Sequence, residues 1–489
     1  MLRTVDNRCI GFTFSKLALL QPAPLRKRLW QGGGAMLVLI LTFTIGNLFI
    51  SQDKSVTPRM LGHDFLAFYS AGTFARQGKF ELLYDLGAVR EVEHSVGRRN
   101  ELEMGKSFGP FWNPPFYAWI FAPLSALSYE NALIIWTWLN LTCLAVAILM
   151  LIKMLPAIIA RPPSASSLAK DQPPAPVQFI RDWRNWALVP LLICVSMPFV
   201  QAISHGQNTF MSLMLLTFVV AAWRKQMPIA AGLACGLLFY KPQLAAVVAA
   251  MLVLSLGARV CVGLGCAVGT LLLITARTMP DMLGNYLVQL PLNLKFMQID
   301  QTYLWERHVT LKAFWRLLLQ GRGPGDTALT VSILTIASVS LVVMGLVGAW
   351  WRTRKPGVDD VWTCETRAAA RDRLIGATIV AMPLIMPFYF DYDLLLLAVP
   401  AVLLAGEIIA LPPGAKLDSL HRMLLGAWTA LFLWLIVNPP LAATSGVNVS
   451  VILLSTICSL SILRACRMGI RTSSLYVPTV HHVNVKRAA

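Results

Sequence analysis

Asp64 stands directly after His63 in LGHDFLAFYSAGTFARQGKFELLYD (61–85), just beyond the first long apolar run of the chain. A carboxylate at that place has two uses. It can cap the helix expected to follow, because Phe65, Phe68, Tyr69 and Gly72 recur at helical spacing and Asp is favoured directly before such a run. It can also act as a general base, accepting a proton from a group held within hydrogen-bond reach. The capping box is absent, since neither Glu nor Gln stands at the third helical position. An acidic side chain at a membrane margin is costly to keep without a role, so function is its default reading. The two uses are compatible, because the first residue of a surface helix is held still.

Other polar groups interrupt apolar sequence. His205, Gln207 and Asn208 surround Gly206 between two apolar runs. A turn accounts for Gly206 and Asn208 but not for the polarity of the whole group. Lys241 in FYKPQ ends one run, where a lysine can also snorkel its amine to water. Glu306, Arg307, His308 and Lys312 cluster in WERHVTLK, either as solvated loop charges or as a set able to hold an anion. Asp391 and Asp393 bracket Tyr392 in FYFDYDLLLL. Residues two apart on a helix point away from each other, so capping before LLLL is expected rather than a shared metal.

These residues must be positioned by a membrane protein. The chain has 489 residues, 56% hydrophobic and 13% charged, with a mean hydropathy of +0.62. A soluble protein of this size needs far more polar surface. The net charge of +18 resides in short clusters such as Arg26 to Arg28, Arg352 to Lys355 and Arg464 to Arg471. That is the pattern of cytoplasmic loops, not of a nucleic-acid surface. Residues 53–106 carry eight basic and eight acidic residues and read as the opposite side. Neither long loop on that side contains any of the nine cysteines, which excludes a disulfide framework there. The first apolar run, about 35–50, lacks a cleavage site and reads as an uncleaved anchor.

Further apolar runs cover 114–128, 130–155, 185–203, 208–223, 227–240, 242–257, 259–277, 328–350, 374–390, 393–411, 422–438 and 447–463. The expected fold is an all-α polytopic bundle of about 12–13 transmembrane helices. A cytoplasmic segment (1–33) precedes a single transmembrane domain (34–463), and a basic cytoplasmic tail (464–489) follows. Within the domain, 53–113 and 278–327 are outer loops with amphipathic helices expected at the membrane surface, and 156–183 is a Pro-rich linker. Placing both loops outside requires 114–155 to cross only once, although it reads as two helices broken near Ser128.

An ordered set of features over about residues 34–330 resembles glycosyltransferase family 87 of the GT-C superfamily. It comprises HDFLAFYSAGTFARQGKFELLYD after the first span, FWNPPFYAWIFAPLSAL opening the second, and Trp136, Trp138 and Asn140 in the third. HGQNTFMSLML and AGLACGLLFYKPQ follow. Asn113 is a departure, since the family usually has an aromatic such as Tyr before the Pro pair. The linker 156–183 is also longer than usual.

The resemblance implies a GT-C-type membrane enzyme that moves a sugar from a polyprenyl-monophosphate donor to a lipid or glycan acceptor, with inversion. Mannose is the common donor sugar, and other hexoses or pentoses are used by related enzymes. Inversion needs one base and stabilisation of a leaving phosphate, without the second carboxylate of glycoside hydrolysis. Asp64 takes the catalytic role. His63, Tyr69, Asn113, His205, Gln207, Asn208, Lys241, Arg307 and His308 are the candidate substrate contacts. Trp112 and Trp305 can stack on sugars, although interfacial belts explain most such aromatics.

No metal ligands are assigned, and a divalent metal is compatible with the scheme. Expected partners are the lipid-linked donor, a glycolipid or glycan acceptor and membrane lipids, with no nucleic acid. The expected location is a bacterial inner membrane, with the site facing the periplasm or exterior. There is no phosphate loop and no HExxH motif. A transporter or flippase of lipid-linked sugars is the alternative, but no internal repeat is visible and a polar first loop beginning with Asp is not needed for transport.

Overall fold

The computed structural model describes residues 22–49, 62–100, 108–159, 183–354, 364–409 and 417–466. Most of the linker 156–183 and of the tail 464–489 lies outside them. The described chain is all-α, and its only bridge is an isolated pairing of His308 with Phe390.

Five described helices are long and apolar enough to cross a bilayer: Tyr129–Leu155, Arg259–Thr278, Leu329–Arg354, Asp391–Ile409 and Val449–Cys466. Two bent pairs, Trp183–Cys194 with Met197–His205 and Ser419–Trp434 with Asn438–Ser445, raise that number to seven if each pair is one span. Thr209–Arg224, Pro228–Tyr240 and Pro242–Leu256 are shorter. Among the described residues, five to seven helices meet the length and composition of a full span, against the 12–13 expected from apolar runs. Proline suits the first turn of a helix better than its interior, and Pro198, Pro228, Pro242 and Pro439 each stand at the start of a new segment here.

The same chemistry resolves the 114–155 region. Its first part folds as three short turns, Pro115–Tyr117, Ala118–Phe121 and Leu124–Ala126, none long enough to cross. Only Tyr129–Ile159 is a continuous helix, so the stretch supplies one crossing.

Small residues and charges fasten the bundle. A Cβ on Gly232 would lie 2.2 Å from the Val260 carbonyl, and one on Gly263 2.1 Å from that of Ile229. The helices Pro228–Leu237 and Arg259–Thr278 therefore touch backbone to backbone. Elsewhere Glu407 pairs with both Arg373 and Arg464, tying three helices together. Glu407 and Asp391 mark the two ends of one candidate span. Helical rise puts them roughly 25 Å apart, close to the depth of a bilayer core.

The helix Phe65–Gln77 is not laid on a surface as expected. Most of its residues are buried, and Phe65 sits among the rings of Phe121, Tyr129 and Trp136 at 5.8–6.2 Å. It is wedged into an aromatic cluster formed with Tyr84, Phe111, Tyr117, Phe121 and the start of Tyr129–Ile159. Segment 278–327 does carry a strongly amphipathic helix, Leu311–Gln320, which buries Leu311, Ala313, Arg316 and Leu317 and exposes Leu318 and Leu319.

Candidate active site

Two glycines bring distant segments together. Gly62 (φ +84°) and Gly206 (φ +66°) both hold left-handed backbone. A Cβ on Gly206 would lie 3.1 Å from Gly62 Cα and 2.9 Å from Phe65 Cβ. Only glycine allows this approach without strain. The contact is fixed by Gly62 N–H donating to the Ser204 carbonyl (2.7 Å) and Asp64 N–H donating to that of His205 (3.0 Å). Tyr129 Oη donates to the Gly62 carbonyl and Trp136 Nε1 to that of Gly206, each at 2.8 Å.

Asp64 is thereby delivered to the 205–208 turn. Its side chain makes no capping bond, so the capping use expected from sequence is not realised. Instead Gln207 Nε2 donates to Asp64 Oδ2 at 2.6 Å, and His205 Nδ1 lies 3.6 Å from the same oxygen. The Asp64 side chain remains 31% exposed while Gln207 is buried, so the carboxylate is held on one edge and open on the other.

The cations stand across Tyr392. The His205 ring is 6.3 Å from the Tyr392 ring, Lys241 Nζ is 5.4 Å from it, and the Arg307 guanidinium is 5.9 Å from it. Each cation has its own carboxylate. Arg307 donates through Nε and Nη2 to Asp391, at 3.3 and 3.0 Å. Lys241 Nζ reaches both oxygens of Asp393, at 3.1 and 3.2 Å. Gln201 Nε2 also donates to Asp391 (3.0 Å) and Thr209 Oγ1 to Asp393 (2.8 Å).

Asp391 and Asp393 do point apart, as their spacing requires, but neither caps a helix through its side chain in the expected manner. They orient the two cations. Burial opposes the Arg307 charge, and Asp391 outweighs it, holding the guanidinium pKa above its ordinary value. Arg307 keeps further N–H donors for an anion beyond those given to Asp391.

The other candidates adjoin this opening or are bonded into the protein around it. His308 is buried, with Nε2 2.8 Å from Tyr303 Oη and its ring 4.0 Å from that of Phe390. Burial first, then Arg307 and Lys312, pulls its pKa down to about 3. It is therefore a neutral ring at physiological pH, unable to meet a phosphate as a cation. Asn208 is fully buried and donates to Tyr117 Oη. Asn113 donates to the Tyr240 carbonyl, and its own carbonyl accepts from Tyr84 Oη. Tyr69 donates to the Leu127 carbonyl. His63 is half-buried beside Asp64.

Thus Asp64 with His205 and Gln207, and Lys241 with Arg307, gather around Tyr392 and the 205–208 turn, while Asn113, Asn208, Tyr69 and His308 bond to protein groups nearby and His63 adjoins Asp64. Gln201, Thr209, Tyr392, Asp391 and Asp393 join the centre without having been nominated as site residues. The FDYD signal was visible, but its long-range partners were not. Among the described residues no three His, Cys, Asp or Glu side chains group as a metal site.

Comparison with known proteins adds one match. The model of glycosyltransferase family 87 fits residues 111–387, more than half of the chain. No curated protein and no solved structure matches.

Proposed function

Because the chain belongs to glycosyltransferase family 87, we propose that it transfers a sugar from a polyprenyl-monophosphate donor to a lipid or glycan acceptor, inverting the anomeric centre. Asp64 is the general base in this reading. The observation that carries it is a partly exposed carboxylate, fixed by Gln207 beside His205, with the His205 ring next to the same Tyr392 ring that Lys241 and Arg307 approach.

The chemistry balances with the residues present. Asp64 accepts the proton of the acceptor hydroxyl, whose oxygen forms the new bond to the anomeric carbon from the face opposite the phosphate. The bond from that carbon to the phosphate oxygen breaks, and its electron pair leaves with polyprenyl phosphate. Arg307 and Lys241 stabilise the growing phosphate charge through N–H donors already held in place. Preorganisation matters because cations that need not reorganise act most strongly in a site with little water.

The site lies at the Asp391 end of the candidate span Asp391–Ile409, whose other end holds Glu407 with Arg373 and Arg464. The positive-inside bias supports an extracytoplasmic site in a bacterial plasma membrane. Feeding radiolabelled polyprenyl-phosphate sugars to vesicles with and without the protein tests the reading. The expected product is a labelled glycan with inverted anomeric configuration by NMR. Absence of label transfer from every polyprenyl-phosphate hexose and pentose refutes it.

A further inference from the structure

A second opening lies between the two outer loops. The turn Phe80–Tyr84 faces the helix Met282–Lys295 across a groove of about 410 Å³. Glu81, Tyr84, Asp85, Asn285, Gln289 and Phe296 line it. We propose that this groove binds a neutral oligosaccharide, the glycan portion of the acceptor. The inference rests on the transferase reading and assigns that enzyme a substrate class.

Its lining has the chemistry for polyhydroxyl ligands. Carboxylates accept hydrogen bonds and side-chain amides both accept and donate, which matches the mixed valence of sugar hydroxyls. Three of these side chains are unspent. Glu81 and Gln289 make no hydrogen bond within the described protein, and Asn285 makes only a 3.9 Å contact to Met282 Sδ. Asp85, by contrast, caps the helix Leu86–Arg99 through the Ala88 N–H. Phe296, 37% exposed, supplies aromatic surface of the kind on which the C–H faces of sugars rest.

Charge excludes the donor's headgroup. No basic residue lines the groove and two carboxylates do, so a phosphate is repelled there. The site that suits phosphate is the one around Lys241 and Arg307. The groove also has an apolar edge. Leu287, Val288 and Leu292 of the same helix are 63%, 61% and 56% exposed, a face suited to lipid. A glycan carried on a lipid would have its sugars among the amides and its tail along that edge.

The groove is coupled to the centre by consecutive hydrogen bonds. Asn293 Nδ2 donates to the Tyr84 carbonyl, Tyr84 Oη donates to the Asn113 carbonyl, and Asn113 Nδ2 donates to the Tyr240 carbonyl, all at 2.8 Å. Lys241 is the next residue. A glycan seated in the groove is therefore held against the same scaffold that positions Lys241.

Binding can be read without turnover, by saturation-transfer NMR on the full chain in lipid nanodiscs. The probes are a neutral mannose tetrasaccharide, a neutral glucose tetrasaccharide and tetragalacturonate. At least one neutral probe should bind to wild type and equally to Asp64→Asn, with weak signal from the acidic one. Asn285→Ala/Gln289→Ala, which spares the Asp85 cap and the Asn293 bond, should lower the neutral signal at least fivefold. Glu81→Lys should raise the acidic signal. Equal binding by the double variant, equal binding of acidic and neutral probes, or no neutral binding overturns the inference. Loss of the transferase reading would show separately, as absent label transfer, and would leave these binding results readable.

Discussion

Replacing Lys241 by Met separates a structural duty from a chemical one. Lys241 Nζ contacts both Asp393 oxygens, and the two side chains are only 9% and 4% exposed. Removing one partner of a buried ion pair costs about 3–5 kcal/mol, because the other charge is left uncompensated. Thr209 still donates to Asp393 at 2.8 Å, so the lower end, about 3 kcal/mol, is expected. That is roughly a hundredfold in the folding equilibrium. Lys241→Met/Asp393→Asn removes both charges and keeps the Thr209 bond, so most of that loss should return. Donor use should not return with it. Both variants lack the cation that meets phosphate, and the donor KM should rise about tenfold or more, as for a lost charge-assisted contact. Denaturant unfolding in nanodiscs and radiolabelled-donor kinetics measure the two effects on the same preparations. Recovery of the wild-type donor KM in the double variant would reduce Lys241 to a structural partner. A single variant as stable as wild type would refute the buried pair itself.

Other outcomes follow from the same geometry. Gly206→Ala places a Cβ 2.9 Å from Phe65 Cβ at a positive φ, so it should cost about 1–3 kcal/mol and depress transfer by moving Asp64; unfolding and transfer assays read this together. Glu93 is buried, and burial first, opposed by the Gly109 N–H and assisted by Asp64, raises its carboxyl pKa from 4.5 to about 8. The folded state then binds the extra proton, so stability is fully present below about pH 4.5 and is lost as pH rises to about 8. Unfolding temperatures across that window should fall in wild type and stay flatter in Glu93→Gln. His308, with a pKa near 3, is neutral throughout the working range; the pH–rate profile of His308→Gln should keep the wild-type shape. Tyr84→Phe removes the bond to the Asn113 carbonyl and should lower stability by about 1 kcal/mol, read by denaturant unfolding.

Much of the site could be read from the chain. Asp64, His205, Gln207 and Lys241 were distinguishable because each interrupts or borders apolar sequence, where a polar side chain is expensive, whereas Arg307 stood out only within the charged cluster WERHVTLK. Asp391 and Asp393 were misread because the neighbouring LLLL offered a local explanation. Their partners lie 84 and 152 residues away, a distance that spacing does not reveal. Asn113 and Asn208 were equally polar but turned inward, where their amide N–H groups donate to the Tyr240 carbonyl and the Tyr117 hydroxyl. Fold class was legible from hydropathy, whereas the number of full spans was not. Apolar runs report composition, and it is the prolines at 114, 115 and 123 that turn one run into short turns.

The central claim is tested most directly by Asp64→Asn in vesicles carrying a radiolabelled polyprenyl-phosphate sugar and membrane glycolipid acceptors. Asn keeps the size of the side chain and can still meet Gln207, but it cannot accept the acceptor's proton. Variant inserted at the wild-type level should transfer label about 10²- to 10⁴-fold more slowly, the range for a lost general base. Transfer by that variant at the wild-type rate would contradict the account.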